Sequence, residues 1–171
     1  MERLKQLGRF GFASISRETF NWILAHFPDG NVMLELGSGN ATKEFTKHYS
    51  VYSIEHNPEW VGKAPSNYIY APIINYGEYS WYDTKKIQKK IPKHYDFILI
   101  DGPPKKIGRE GFLHNLELFN TQVPLIFDDA NRGGELVLIQ KIAGKLKFPY
   151  HIIKTGMRKK IGIIAPPSWK I

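Results

Sequence analysis

Apolar residues fall alternately into short continuous runs and into stripes with helical spacing along this chain. Continuous runs are typical of strands buried on both faces, and stripes at i, i+3 and i+4 are typical of amphipathic helices. The runs predict seven strands, at NVMLEL, SVYSIE, NYIYAPI, YDFILID, VPLIFDD, YHIIKTG and KKIGIIAP. Their alternation with helices predicts an α/β fold with a doubly wound, mainly parallel seven-stranded sheet and a C-terminal antiparallel hairpin.

Helices are expected between these strands. The first has Phe20 and Ile23 on its apolar face, and Ser16 is its candidate N-cap. Short helices are expected from Thr42 and at PEWVGK, where Pro58 would take the first helical position. The remaining helices are predicted at DTKKIQKKI, REGFLHNLELF and GGELVLIQKIAGKL.

The length and composition restrict the class of protein. A chain of 171 residues fits one domain covering residues 1–171. No apolar run is long enough to span a membrane, and the amino-terminal segment MERLKQLGRFGFASIS lacks the apolar block of a signal peptide. The absence of cysteine excludes disulfides, thiol nucleophiles and cysteine-bound metal. We therefore expect a cytoplasmic protein that does not enter a membrane.

The net charge of +8 leaves two interpretations open. The lysine clusters in TKKIQKK, PPKK and MRKK can form solvated faces, or they can meet an acidic partner. Nucleic acid is one such partner, but the sequence lacks an RNP-like aromatic motif and a helix-turn-helix signature. Nucleic acid is therefore not the favoured substrate.

The segment LELGSGNAT contains the first specific signal. Gly37, Ser38 and Gly39 follow directly after a predicted buried strand, which allows a tight turn and close approach of a ligand. Glu55 comes 18 residues after Gly37, at the end of the second strand. An acid at that place commonly binds ribose hydroxyls, so the pair predicts a nucleoside-containing cofactor.

The turn departs from two common nucleotide motifs. A dinucleotide fingerprint needs Gly or Ala at its last position, where this chain has Thr42, and the P-loop lysine is absent. The pattern E-L-G-S-G-N-A instead resembles the first motif of class I S-adenosylmethionine-dependent methyltransferases. The resemblance continues in order through YSIEHN, YDFILIDGPP and IFDDANR, over residues 32–129. Two departures are Ala41 in place of the third glycine and the lack of an acid or amide after the strand at NYIYAPI.

The resemblance implies a set of residues that bind S-adenosylmethionine. Glu35 would lie under the turn near the methionine amino group, and Glu55 would bind the ribose hydroxyls. The implied cofactor-binding residues are Glu35, Gly37, Ser38, Gly39, Glu55, His56, Asn57 and Asp101. The alternatives are that Glu35 only supports the turn and that Glu55 is a solvated acid at a strand end.

Acids also end the later strands. Asp101 follows YDFILI, and Asp128 with Asp129 follows VPLIF. This resembles metal-dependent O-methyltransferases, in which acids and an amide bind Mg²⁺, although here Asp-Asp replaces Asp-Asn and Asn131 comes two residues late. Three interpretations remain open: a metal site at all three acids, acid–base catalysis by Asp101 or Asp129, and capping of the following helices.

The loop DGPPKKIGREGF is the second informative segment. Prolines stiffen it, and Arg109 at its end could act in catalysis by gripping an anionic or sugar substrate together with Arg132. Alternatively both arginines pair with the site acids or with solvent. The combination of DGPP and GR also resembles a subgroup that includes sugar and polysaccharide methyltransferases, which favours a hydroxyl acceptor.

Together these features predict an S-adenosylmethionine-dependent methyltransferase acting on a small-molecule or saccharide hydroxyl. The alternatives are a nucleic-acid methyltransferase, a nicotinamide-binding oxidoreductase and a non-catalytic scaffold on the same fold. The short chain leaves little inserted material for substrate recognition, and a homodimer or a partner chain could supply it. The aromatic segment YGEYSWYD could stack on a ligand or pack at the edge of the core.

Overall fold

The computed structural model describes residues 14–170, so most of the amino-terminal segment lies outside the described residues. The first half contains α1 (Arg17–His26), β1 (Val32–Leu36), α2 (Thr42–Phe45), β2 (Ser50–Glu55), β3 (Asn67–Tyr70), β4 (Ile73–Asn75), β5 (Ser80–Tyr82) and α3 (Thr84–Lys90). The second half contains β6 (Phe97–Ile100), α4 (Glu110–His114), a 3₁₀ turn (Leu116–Leu118), β7 (Leu125–Phe127), α5 (Gly133–Leu146), β8 (Tyr150–Lys154) and β9 (Lys160–Ile164). Among these, no helix has the length and apolar character needed to cross a bilayer.

Seven strands form one sheet in the order β3-β2-β1-β6-β7-β9-β8. The first five of these pair in parallel, and β9 is antiparallel to both β7 and β8. This confirms the predicted fold class and the final hairpin. The chain order reverses between β1 and β6, and ligands of such sheets bind at the carboxyl ends of the strands beside that reversal.

The sheet is buried on both faces because alternate strand residues enter different apolar clusters. In β1, Leu34 and Leu36 pack with α3, α4 and α5 on one side, whereas Met33 packs with α1 and α2 on the other. Ser16 caps α1 as predicted, since its hydroxyl accepts the Thr19 N–H at 3.1 Å.

Two local predictions are wrong. PEWVGK forms two successive turns rather than a helix, with the Trp60 N–H donating to the Asn57 carbonyl and Gly62 at a φ of 85°. The left-handed conformation of Gly62 stops helix propagation. The stripe in REGFLHNLELF is divided at Asn115, whose side-chain amide donates to the Gly111 carbonyl at 2.7 Å.

The second half of the aromatic segment packs in the core, whereas Tyr76 at its start is exposed. It contains β5, which pairs with β4 in a small antiparallel sheet that the sequence did not predict. Trp81 and Tyr82 are fully buried, and Tyr79 stacks on His114 with ring centroids 4.4 Å apart. The core interpretation of YGEYSWYD therefore holds for this part of the chain.

Candidate functional site

The turn after β1 meets the loop after β6 at the point of strand reversal. Gly37 has a φ of 85°, and its N–H donates to the Ile54 carbonyl at 2.9 Å. A Cβ atom on Gly37 would lie 2.8 Å from the Gly102 Cα. Glycine is therefore required at position 37 both by the backbone conformation and by the close approach of the neighbouring loop.

Glu55 fixes the turn from the end of β2. Its Oε2 accepts the Ser38 N–H at 2.8 Å and the Ser38 hydroxyl at 2.7 Å, while Oε1 accepts the Asn57 N–H at 2.8 Å. His56 Nδ1 lies 3.1 Å from Oε1. Burial raises the pKa of Glu55, but the contacts from His56, Asn57 and Ser38 outweigh it, so the pKa is lowered overall. Glu55 is 2% exposed, which removes the interpretation as a solvated strand-end acid.

Glu35 lies behind the turn and not on the cavity wall. It is 2% exposed, and its Oε1 accepts hydrogen bonds from Ser53 Oγ at 2.6 Å and Thr42 Oγ1 at 2.8 Å. Thr42 Oγ1 in turn accepts the Gly39 N–H at 2.9 Å. Burial raises the pKa of Glu35 to about 7, against the lowering effect of these two hydroxyls. Glu35 therefore supports the turn, and a direct contact with a cofactor amino group does not follow from this position.

Three carboxylates converge at the ends of β6 and β7. Asp101, Asp128 and Asp129 each offer an oxygen, and these oxygens lie within 4.8 Å of one another. Asp129 has a φ of 62°, a left-handed conformation that is uncommon outside glycine and that aspartate tolerates better than most residues. Residues held in such conformations cluster at functional sites. The structure thus brings together the acids that the sequence singled out.

The capping interpretation of these acids is wrong. Helices α4 and α5 have Arg109 and Arg132 at their N-cap positions, with no side-chain capping hydrogen bond at either. The acids instead contact cations. Arg132 Nη1 lies 2.9 Å from Asp129 Oδ2, and the side chain of Arg132 is 41% exposed.

Arg109 joins the ends of the two strands from inside. Its Nη2 donates to the Asp101 carbonyl at 2.6 Å, and its Nη1 donates to the Asp128 carbonyl at 3.0 Å. Nη1 also lies 3.5 Å from Glu135 Oε2, and Nη2 lies 3.4 Å from Asp101 Oδ1. Because Arg109 is only 4% exposed and holds backbone carbonyls, the observed contacts are those of a positioning residue. The interpretation in which Arg109 pairs with the site acids therefore describes this structure better than the one in which it binds the substrate.

The site also contains a residue that the sequence interpretation missed. Lys159, directly before β9, donates from Nζ to Asp128 Oδ2 at 2.7 Å and to Asp129 Oδ1 at 2.5 Å. The register that pairs Phe127 with Gly162 brings this lysine beside the acids. Its neighbours Arg158 and Lys160 are also basic, so the sequence does not show which of the three residues reaches the acids. Only the pairing of β9 with β7 identifies Lys159.

Burial dominates the electrostatics of the carboxylate cluster. It raises the pKa of Asp101 well above its usual range, and the neighbouring Asp128 carboxylate adds to this while Arg109 opposes it. Burial likewise raises the pKa of Asp128, against the opposing effect of Lys159. Burial lowers the pKa of Lys159, but Asp128 and Asp129 outweigh it, so that the pKa is raised and the lysine stays charged.

A cavity of about 460 Å³ connects the turn with the carboxylate cluster, within the usual size range of small-molecule sites. Its walls contain the site residues expected from the sequence except Glu35 and Gly39, together with residues that were not expected, among them Trp60 and Lys159. They are Ser14, Gly37, Ser38, Glu55, His56, Asn57, Trp60, Asp101, Gly102, Pro104, Lys105, Lys106, Arg109, Asp128, Asp129, Arg132 and Lys159.

The fold matches those of solved methyltransferases. A TehB-like SAM-dependent methyltransferase from Corynebacterium glutamicum superposes with a TM-score of 0.57 at 12% identity over 87% of each chain. The T. thermophilus 16S rRNA methyltransferase RsmC, in complex with AdoMet and guanosine, gives 0.55 at 14% identity over 84% of this chain and 38% of that one. MycE, in complex with Mg, SAH and mycinamycin VI, gives 0.53 at 11% identity over 88% and 46%.

No protein-family profile and no curated protein matches the sequence. The structural likeness nevertheless shows that this chain has the fold of the class I S-adenosylmethionine-dependent methyltransferases.

Proposed function

We propose that this protein is an S-adenosylmethionine-dependent methyltransferase that methylates a hydroxyl of a small-molecule or saccharide acceptor. The observation that carries the proposal is the shared cavity, which has the Gly37 turn and Glu55 on one side and Asp101 with Asp128 on the other. When bound, the cofactor supplies an electrophilic methyl group on a sulfonium. The carboxylate of Glu55, whose pKa is lowered, favours the positive charge of this sulfonium on the cofactor side of the cavity.

The cofactor side of the cavity is formed by Gly37, Ser38 and the segment from Glu55 to Trp60. A carboxylate has room for about four hydrogen bonds, and Glu55 already accepts three, from the Ser38 N–H, the Ser38 hydroxyl and the Asn57 N–H. The Ser38 hydroxyl can rotate away, whereas the two backbone donors are fixed. Rotation of the Ser38 hydroxyl would open a second acceptor position on Glu55 beside the remaining one, so Glu55 would hold ribose hydroxyls there. Trp60, on the wall of the same cavity, would offer an apolar face to adenine.

The acceptor side of the cavity provides a base. Both Asp129 oxygens are occupied, one by Lys159 and the other by Arg132. Asp101 has a weaker cationic contact, with Arg109 Nη2 3.4 Å from Oδ1. The raised pKa of Asp101 makes its ionised form the stronger base. S-adenosylmethionine would supply the methyl group, with its sulfonium becoming a neutral thioether, and Asp101 would accept the proton that the acceptor hydroxyl loses.

The mouth of the cavity favours an anionic acceptor. Lys105 and Lys106 line it from the loop after β6, and both residues are exposed. Exposed ammonium groups attract a phosphate or carboxylate without restricting its orientation. A phosphorylated or acidic sugar fits this charge, and a short nucleic-acid segment is the second candidate that these lysines support.

Thermal unfolding with single ligands tests the proposal. S-adenosylhomocysteine and S-adenosylmethionine at a hundred times their dissociation constants should each raise Tm by roughly 5–10 °C. NAD at the same concentration is the matched control, and we expect no shift with it. A shift with NAD alone, or no shift with either adenosyl compound, would overturn the proposed function.

A further inference from the structure

The ammonium group of Lys159 lies among the oxygens where a divalent metal would bind. Its Nζ contacts one oxygen of Asp128 and one of Asp129, two of the three acids that form the candidate metal cluster. The side chain of Lys159 is only 15% exposed. Its position is therefore that of an enclosed counter-ion to the acids and not of a solvated surface lysine.

The backbone fixes Lys159 at this place from both sides. Ala130 follows directly after the acids, and its N–H donates at 2.9 Å to the carbonyl of Lys160, the residue that follows Lys159. Across the hairpin, the N–H groups of Thr155 and Gly156 donate to the Lys159 carbonyl at 3.1 and 3.3 Å. The backbone at Lys159 is thus held next to the turn that contains Asp128 and Asp129.

Every carboxylate of the cluster already has a cationic neighbour. Lys159 contacts Asp128 and Asp129, Arg132 contacts Asp129, and Arg109 lies near Asp101. A Mg²⁺ ion needs oxygen ligands at about 2.0–2.1 Å in near-octahedral geometry. Both Asp129 oxygens are already paired, one with Lys159 and the other with Arg132. An ion that took Asp129 as a ligand would have to displace one of these groups and remain close to the other cations, which Coulomb repulsion opposes.

We propose that Lys159 is the resident cation of this site, that it takes the place of a divalent metal, and that it positions Asp128 and Asp129 beside the reacting groups. This inference rests on the proposed function and adds that the methyl transfer does not depend on a metal. The Asp128 Oδ1 atom is buried and has no hydrogen-bond donor among residues 14–170. Lys159 is therefore the only side chain in that part of the chain that hydrogen-bonds the Asp128 carboxylate.

A titration of the protein with Mn²⁺ tests the inference, with bound and free Mn²⁺ distinguished by electron paramagnetic resonance. The wild-type protein should show no saturable site at millimolar Mn²⁺. Lys159→Gln frees the acid oxygens and should show a saturable Mn²⁺ site. Its affinity should be about tenfold or more above the upper limit that the wild-type titration sets, a difference of about 1.4 kcal/mol. Adding Asp129→Asn to that variant should abolish the gain.

Lys159→Arg is the matched control, because it keeps the positive charge and should exclude Mn²⁺ as the wild type does. A saturable Mn²⁺ site in the wild-type protein that Asp128→Asn removes would overturn the inference, and this arm needs no folded Lys159 variant. Equal Mn²⁺ binding by Lys159→Gln and the wild type would also overturn it.

The Tm shift of the wild type with S-adenosylhomocysteine, measured on the same samples, separates the two proposals. A shift together with a wild-type Mn²⁺ site would reject only the resident cation. No shift, together with Mn²⁺ binding that appears only in Lys159→Gln, would reject the methyltransferase function and the role in methyl transfer but would keep Lys159 as the cation of the acid cluster.

Discussion

Gly102 packs against Gly37 so closely that a methyl group on Gly102 would stand 2.8 Å from the Gly37 Cα. The same methyl group would also lie 2.5 Å from the Tyr82 hydroxyl oxygen. Since Gly37 belongs to the turn after β1 and Gly102 to the loop after β6, the two halves of the cavity wall form one packed unit. A side chain added at Gly37 or Gly102 would therefore disturb both halves of this wall.

We expect Gly102→Ala to lower the free energy of unfolding by about 1–3 kcal/mol, the usual cost of overpacking. Backbone atoms and a buried tyrosine surround the position, so the clash cannot be relieved by one flexible side chain. The displaced turn should also weaken binding of S-adenosylhomocysteine. Urea unfolding and calorimetric titration measure the two effects.

Gly144→Ala is the control for this substitution. Gly144 lies inside α5, and a Cβ atom there would meet nothing within 4 Å. Replacing a helical glycine with alanine typically stabilises by about 0.5–1 kcal/mol. Equal urea midpoints for the two variants would contradict the close packing of Gly37 and Gly102.

The strands that hold the site could be predicted because they are apolar runs that end at a chemically distinct residue. Leu36 is followed by the glycine turn, and β2, β6 and β7 end at or just before Glu55, Asp101 and Asp128. In a parallel sheet these ends meet at one edge, so the sequence order alone brings the acids together.

The contacts of those residues depend on pairings between distant segments, and they could not be predicted. Lys159 reaches the acids only because β9 pairs with β7, and Arg109 turns inward only because the ends of β6 and β7 present free carbonyls to it. The β4–β5 hairpin was missed because its strands have only three residues each, too short for a periodic pattern.

The hydroxyl of Ser38 and the carboxylate of Glu55 should respond differently to substitution. Glu55→Gln removes the charge and an acceptor oxygen, and we expect it to weaken S-adenosylhomocysteine binding by about 10- to 100-fold. Ser38→Ala vacates the position assigned to a ribose hydroxyl and should change the affinity by less than about threefold. Calorimetric titration of each variant measures this, and an equal loss in both would contradict the ribose assignment.

Arg109 should be the arginine of the site that matters most for stability. Arg109→Lys keeps the charge, but one ammonium cannot serve the Asp101 and Asp128 carbonyls together with Glu135. We expect a loss of about 2–4 kcal/mol, because buried acceptors lose their donor. Urea unfolding of Arg132→Lys provides the comparison, since its half-exposed pair with Asp129 should contribute less than about 1 kcal/mol. A smaller loss for Arg109→Lys than for Arg132→Lys would show that Arg109 does not hold the strand ends.

Glu35 should make the protein less stable as the pH rises through the weakly acidic range. Its pKa is about 7 in the folded state against 4.5 for the ordinary carboxyl. Between these values the folded chain keeps a proton that the unfolded chain releases, so stability falls as the pH rises from 4.5 to 7 and is then constant for this group. A shift of this size corresponds to about 3 kcal/mol.

Glu35→Gln should remove that slope, because a neutral amide oxygen still accepts hydrogen bonds from Ser53 and Thr42 without a buried charge. The variant should match the wild type near pH 4 and exceed it near pH 8 in urea unfolding, on a scale of about 3 kcal/mol. Glu59→Gln, at an exposed position, controls for the lost negative charge and should leave the slope in place. Parallel pH profiles for Glu35→Gln and the wild type would mean that Glu35 is ionised in the folded protein at acidic pH. The hydroxyls of Ser53 and Thr42 would then bind a buried carboxylate and not a neutral carboxyl group.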